Sequence, residues 1–493
     1  MGTDISQQEF TPADYARFRA RLEQSLSVLA GLLQQPGFGT GPATVGAELE
    51  LFLIDGPGRP LPRNQAIRAA VADPRVTVEL NRFNLELNAS PIPLAGRPFT
   101  ALGAELDLLL DRVSSAARAF GGRLALAGIL PTLRRDDLHP GIMTGVARYR
   151  ALDHGLRRLR RDPFRIRIAG DDPLEVASED VTPEGATTSF QVHLRTGPQD
   201  FTRVYNAVQL ATAPVLAVSG NSPTFLGHRL WEETRIALIK QAVDDRVPAS
   251  PRRTPSRATF GTGWLRGGPL EAFAESVRLY QPVLPVLHDE DPEAEAGGRF
   301  PPPLPELRLH QSTIWRWNRA IYDPAGSGHL RIEMRALSSG PTVTDMLASA
   351  AFLAGLSLWL AAHDPQWTHA LPFERAEDGF YRAAQHGLDV ELSWPAGRDR
   401  TRIVRAADLV PELLPCARKG LLDAGVAAEE ADRLLEVIHG RVASGQTGAV
   451  WQRVALATAE RHLDRHRALA AMLERYLEHA ATGQPVHTWP LPH

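Results

Sequence analysis

The chain has 493 residues, 43% hydrophobic and 23% charged, which is enough for one large domain or two to three ordinary ones with a real core. A net charge of -3 gives no reason to expect a nucleic-acid partner. The single cysteine, Cys416, excludes an internal disulfide and any cysteine-cluster metal site.

No apolar run approaches the ~20 residues needed to span a bilayer. The longest candidate, Met346 to Ala362, holds Ser349, Gly355 and Ser357 and reads as a buried helix. The first residues lack the basic-then-apolar pattern of a signal peptide, so a cytoplasmic location is expected. Lys240 and Lys419 are the only lysines, and neither ends a P-loop. Any phosphate bound here must be held by arginine, backbone or metal.

In chain order, Thr11–Leu33 predicts a helix, with Phe18, Leu22, Leu26, Leu29 and Leu33 at helical spacing. Gln34–Thr44 is a Gly/Pro-rich entry loop, and strand patterns begin at Val45. Ala101–Phe120 predicts an amphipathic helix closed by Gly121-Gly122, and Ala125–Leu130 a short strand. Arg134–Arg167 is very basic, with a helix over Tyr149–Leu159. A strand over Thr188–Leu194 and a buried helix over Phe201–Val218 follow. Pro248–Gly268 and Asp289–Pro305 read as lids or as surface insertions. Leu330–Leu337 predicts a strand, Thr342–His363 a helix, and most of the rest to Ala481 is helical. The expected organisation is an N-terminal helix and entry loop at 1–40, a catalytic domain at 41–390 and a helical C-terminal region at 391–493. Strands in front and helices behind suggest an α+β architecture with the tail packed on the sheet.

Alternate side chains of a strand share a face. In Val45–Ile54, Ala47, Leu49, Leu51 and Leu53 form one face, and Glu48, Glu50 and Phe52 the other. Unit charges ~4 Å apart repel by about 4 kcal/mol at an effective dielectric of about 20, so two acids on one face need solvent or a cation. In Val76–Leu87, Glu79 and Glu86 again face away from apolar positions, and Asn81–Asn84 break the alternation. In Thr187–Arg195, Gln191, His193 and Arg195 oppose Val192 and Leu194. In Leu330–Leu337, Arg331, Glu333 and Arg335 oppose Ile332 and Met334. The bland alternative is a set of exposed strands with weak surface ion pairs. If the apolar faces pack on helices, however, the polar faces line one concave site. Hard oxygen ligands with one nitrogen suit Mg²⁺ or Mn²⁺, and the arginines suit a transferring phosphoryl group. No HExxH or G-x-S-x-G pattern points to zinc or a side-chain nucleophile.

Six segments, in order from about residue 45 to 390, resemble the glutamate–cysteine ligases and related carboxylate–amine ligases. Gly46-Ala-Glu-Leu-Glu-Leu-Phe52 resembles their Gly-x-Glu-x-Glu signature, and Glu79 and Glu86 their second acidic segment. Ser189-Phe-Gln-Val-His193, Asn221-Ser-Pro223, His329 to Arg335 with Pro341–Asp345, and Tyr381–Asp389 resemble later family motifs, and Arg148-Tyr-Arg150 fits a further segment. The resemblance implies a fold similar to glutamine synthetase, a curved antiparallel sheet whose concave face holds ATP and two to three Mg²⁺ or Mn²⁺ ions. It implies Glu48, Glu50, Glu79, Glu86, His193 and Glu333 as metal ligands, and Arg335, assisted by Arg331, on the ATP phosphates. It implies Arg235, Asn221 and Tyr149 at the substrates, with Arg235 on the acceptor's carboxylate. The implied reaction joins glutamate, through an acyl phosphate, to cysteine or another amine, as in glutathione biosynthesis. A homodimer contact or a lid is expected of the C-terminal helices. A non-catalytic binding module and a guanidino-kinase-type phosphotransferase stand as alternatives. Glu48→Gln or Glu333→Gln is expected to end turnover while sparing the fold, since removing a like charge relieves repulsion.

Overall fold

The alternating segment after the entry loop becomes the central strand, Thr44–Ile54, of an eight-stranded antiparallel sheet in this computed structural model. Residues 9–247, 254–288, 301–363, 367–397 and 399–492 are described. Across the sheet the order is Asn318–Asp323, His329–Met334, Phe190–Thr196, Thr44–Ile54, Asn84–Asn88 and Val76–Val78. Ile92–Pro93 and Arg123–Ala125 pair with the two ends of the central strand. The sheet curls into a half-barrel, and the architecture is α+β.

The break at Asn81–Asn84 proves to be the turn of a hairpin, since Val76–Val78 pairs with Leu85–Leu87. The strand expected over Ala125–Leu130 instead covers Arg123–Ala125, pairing with Phe52–Ile54 right after the glycine pair. Several strands went unpredicted, among them the hairpin Phe164–Ile168 with Leu174–Ser178 and, at the edge of the sheet, Asn318–Asp323, which alternates buried and half-buried residues but follows a tryptophan-rich run that obscures its start.

The apolar face is fully buried. Leu49, Leu51, Leu85, Leu87, Val192, Leu194, Ile332 and Met334 have no exposure. Three helices back it. Phe201–Ala217 is buried almost all round, as its composition requires. Val343–His363 is long and apolar enough to cross a membrane, but 78% of its apolar window is buried inside the fold. Pro98–Ala119 presents Leu102, Leu106, Leu109 and Val113 to the same core.

Two expectations need correction. Within the first candidate lid, the described part is interior rather than mobile surface. Ala258–Thr259 pairs in parallel with Trp315–Arg316, Phe260 stacks on Phe380 at 4.7 Å, and Trp264 Nε1 donates to the Leu371 carbonyl at 2.9 Å. The second candidate lid lies mostly outside the described residues; its end, Pro305, starts a helix to Ser312. The region after residue 390 is mostly helical, as its pattern predicts, but its first two helices do not pack on the sheet. It opens with a hairpin, Glu391–Pro395 with Thr401–Arg405. Helices Ala406–Asp423 and Ala428–Ser444 then pack on Val343–His363, the helix behind the sheet, rather than on the sheet itself. Gly448–Ala459 and Arg465–Ala480 form a separate apolar cluster around Trp451, Tyr476 and Trp489.

Candidate active site

Strand register places the polar residues on one face. Glu50 lies opposite Glu86, Gly46 opposite His193, Glu48 opposite Gln191, and Glu333 opposite both His193 and Arg319. Directly opposed residues in an antiparallel pair share a face. The acids, the imidazole and the arginines therefore gather on the concave side because the apolar residues between them are committed to the helices.

Three of the six expected ligands converge. Ligand atoms of Glu48, His193 and Glu333 lie within 4.8 Å of one another. His193 Nε2 stands 3.3 Å from Glu48 Oε1 and 4.0 Å from Glu333 Oε1, and this buried nitrogen has no hydrogen-bond partner. Two carboxylates and an imidazole nitrogen around an orphaned atom fit a hard divalent ion.

The cluster is already partly neutralised. Arg319 grips both oxygens of Glu333, at 2.6 Å from Nε and 3.0 Å from the second amine, and Arg335 Nη1 lies 3.3 Å away. Burial raises the Glu333 carboxyl, but Arg319, Arg335 and His193 outweigh it and hold it well below the carboxylate range. Burial likewise opposes ionisation of Glu48, yet His193 draws it down to about 2. Arg331 Nε donates to His193 Nδ1 at 3.0 Å, so Nδ1 is the accepting nitrogen in this arrangement. An ion on Nε2 leaves Nδ1 to act as a donor, so loading the site must turn Arg331 away.

Among the described residues, the other acids of the expected set form no ion pair. Glu50 takes a 2.7 Å hydrogen bond from the Ser189 amide and a 2.8 Å one from Gln191 Nε2, and burial still raises its carboxyl. Glu86, held by Asn88 at 2.8 Å and Thr77 at 3.0 Å, is pushed up to about 7 by burial and then by Glu48 and Glu50. Glu79 is driven well above the carboxylate range by burial, Glu86 and Glu50.

Two cavities open on this face. The larger, about 630 Å³, is lined by Glu48, His193 and Glu333 and by Arg75, Arg148, Arg195, Arg308, Arg319 and Arg331, with Phe273, Leu307 and Tyr322 as apolar wall. The smaller, about 30 Å³, is lined by Glu50, Glu79, Glu184, Arg235, Arg335, Trp315 and Trp317. Arg335 and Gln191, hydrogen-bonded to each other, join the two groups, since Arg335 reaches Glu333 and Gln191 reaches Glu50.

The remaining expected site residues divide. Arg331 faces the larger cavity, tied to Asp323, whereas Arg335 lines the smaller. Arg235 lines the smaller cavity too, but its charge is matched by Glu233 at 2.8 Å and it donates to the Ala336 carbonyl at 2.6 Å. Asn221 lines neither cavity. It is fully buried, donates to Ser339 and Tyr476 at 2.8 Å, and accepts from Gln452 at 2.8 Å, which makes it a rivet for the C-terminal helices. Tyr149 donates to the Val78 carbonyl at 2.8 Å and lines neither cavity; its neighbour Arg148 lines the larger one. Sequence reasoning missed Arg319, whose strand it did not see, and Glu184, which sits in a turn with no periodicity to mark it.

The sequence profile of glutamate–cysteine ligase family 2 (GCS2) matches residues 44–469. No curated protein matches the chain significantly. Among solved structures, the fold is similar to glutamate–cysteine ligase from Francisella tularensis in complex with AMP, at 12% identity, over 92% of this chain and 91% of that one, with TM-score 0.56. A bifunctional glutathione synthetase from Pasteurella multocida matches at 13% identity, over 93% of this chain and 55% of that one, with TM-score 0.47. The profile spans most of the chain and contains every residue of the acidic face, so the chain belongs to glutamate–cysteine ligase family 2, a family of carboxylate–amine ligases.

Proposed function

We propose that this protein uses ATP to phosphorylate the γ-carboxylate of glutamate and then joins the acyl group to the amine of cysteine, giving γ-glutamylcysteine. One observation carries the reading: the Glu48–His193–Glu333 cluster lies in the wall of a nucleotide-sized cavity that also presents six arginines. The acids call for divalent metal and the arginines for polyphosphate, and only two lysines exist in the whole chain to do otherwise.

Glu48, His193 and Glu333 would hold one ion, and Glu50, Glu79 and Glu86 offer oxygens for a second or third. When bound, such ions neutralise charge on the transferring phosphoryl group. The chain's own residues do the rest. Arg319 and Arg331, released from Glu333 and His193, are placed to bind phosphate oxygens. Arg335, joined to both cavities, holds the charge that develops between nucleotide and donor carboxylate. The polar face then fixes the acyl phosphate beside the acceptor with water excluded, and no side-chain nucleophile is needed.

The test is ADP release with Mg²⁺, ATP and glutamate against a panel of amines headed by cysteine, with product masses recorded. ADP with a γ-glutamylcysteine mass is the expected result. ADP with another amide keeps the ligase and reassigns the acceptor, a stable phosphorylated product points to a phosphotransferase, and no acceptor-dependent ADP sinks the glutamate assignment.

A further inference from the structure

The smaller cavity contains an acid that the metal cluster does not use. Glu184 belongs to the single turn Glu184–Ala186, just before the His193 strand. Trp315 Nε1 donates to its Oε1 at 2.9 Å, and its second oxygen carries no hydrogen bond among the described residues. No arginine, lysine or histidine forms an ion pair with it among those residues, in contrast to Glu333 with its two arginines. It is also outside the group whose ligand atoms converge on one point. Burial pushes its carboxyl up to about 7, which marks a group short of a counter-charge.

The walls around it define what that counter-charge is. The indoles of Trp315 and Trp317 line the same small space. A carboxylate with one oxygen held by an indole N–H and the other without a hydrogen bond among the described residues is a site for an ammonium group, which gains a charge-assisted hydrogen bond there. The cavity also adjoins the charge-handling pair Arg335 and Glu50. Its free volume, about 30 Å³, suits a small polar head and not a whole amino acid.

On the ligase reading, which this rests on, an amine must reach the acyl phosphate, and at neutral pH it arrives as an ammonium. We propose that the smaller cavity is the entry site for the amine acceptor's ammonium head and that Glu184, oriented by Trp315, is the positioning residue that recognises it. The acceptor class is thereby a primary amine that is protonated in solution, such as an amino acid.

The test uses two acceptors on the full-length protein with Mg²⁺, ATP and glutamate. One is the amine that supports ADP release in the panel; the other is hydroxylamine, which is uncharged at neutral pH and traps the acyl phosphate as a hydroxamate. Glu184→Gln is expected to raise KM for the amine about ten- to a hundredfold, the loss of one hydrogen bond to a charged group. Hydroxamate formation and Mn²⁺ titration by the variant stay at the wild-type level. An unchanged amine KM overturns the proposal. So does an equal loss of hydroxamate, which means a general distortion, or a loss of Mn²⁺ affinity, which makes Glu184 a metal ligand. If the wild-type protein makes no glutamate-dependent hydroxamate, the ligase reading itself fails and this inference with it. Should Glu184→Gln not fold, Trp315→Phe carries the same test with a smaller rise in amine KM and the same intact hydroxamate rate.

Discussion

The two halves of the acidic face handle the same problem in opposite ways. Around His193, Glu333 and Glu48 are held ionised by Arg319, Arg335 and the imidazole. Around Glu86, the acids face one another and burial with their mutual repulsion raises their carboxyls well above the ordinary carboxylate range. One half carries its own cations and has to release them to take up metal; in the other, Glu79 and Glu86 form no ion pair among the described residues and wait for an ion to arrive. The first half is thus set for exchange and the second for capture, and each variant below separates them.

Glu333→Gln has the largest effect. It removes a ligand of the converging cluster and the anchor of two arginines at once. ADP release should fall roughly a thousandfold, in line with the loss of a central charged group. The fold should suffer as well, because Arg319 and Arg335 lose their buried partner, a change that costs about 3–5 kcal/mol. That reverses the expectation from like-charge repulsion, which holds only where an acid has acids for neighbours. Glu48→Gln, with His193 as its one ion-pair partner among the described residues, should lose turnover with a much smaller drop in melting temperature. Equal melts for the two variants would remove the asymmetry drawn here.

The capture half is tested by pH. Glu86 and Glu184 rise from 4.5 in the free group to about 7 in the fold. A raised carboxyl stabilises the fold below its unfolded value and loses that contribution as pH climbs through the folded one. Metal-free protein should therefore melt lower at pH 8 than at pH 5, each such group contributing on the order of 3 kcal/mol. Glu48 and Glu333 are depressed instead and stay ionised across that window, so they leave the slope alone. Mg²⁺ or Mn²⁺ should restore more stability at pH 8 than at pH 5, and Glu86→Gln should flatten the metal-free profile. A melt that rises from pH 5 to 8 in chelator sinks the idea.

The exchange half is tested by Arg319→Met. Freed of its arginine, Glu333 should take Mn²⁺ about tenfold more tightly when no nucleotide is present, because a charge-assisted pair no longer competes. ATP should bind more weakly, since the released arginine is a phosphate ligand in this reading. Paramagnetic titration of Mn²⁺ reads the first effect directly; unchanged or weaker Mn²⁺ binding shows that Arg319 is scaffolding.

The polar face was legible because strands write their two faces in alternation. Glu48, Glu50, Glu86, His193, Arg331 and Glu333 all lie where that rule places them. What alternation cannot express is pairing between strands. Nothing in the sequence near Glu333 says that Arg319, fourteen positions earlier, will lie across from it, since that depends on the register of a tight hairpin. Glu184 and Glu79 lie off the regular strands, where a side chain's direction is set by tertiary packing. Asn221 shows the converse. Its motif was readable, but its polar atoms are consumed by Ser339, Tyr476 and Gln452 from distant segments, and no local pattern announces that. The described part of the first candidate lid failed for a related reason: its glycines and arginines look mobile, yet Arg257 is fully buried against Asp245 and Gln281.

Tyr149 gives the finest test of where the site ends. It sits beside Glu79, and burial with that acid holds its phenol well above the usual range, so it acts only as a neutral donor. Its hydroxyl is already spent on the Val78 carbonyl, at the strand end that carries Glu79 towards the smaller cavity. Tyr149→Phe removes one hydrogen bond and no volume. The expected outcome is a loss of about 1 kcal/mol in stability with KM for ATP, donor and amine all within about twofold. A selective rise in one KM would instead place the hydroxyl on that substrate, and the boundary of the capture half would move outward to include the helix Ala147–Leu159.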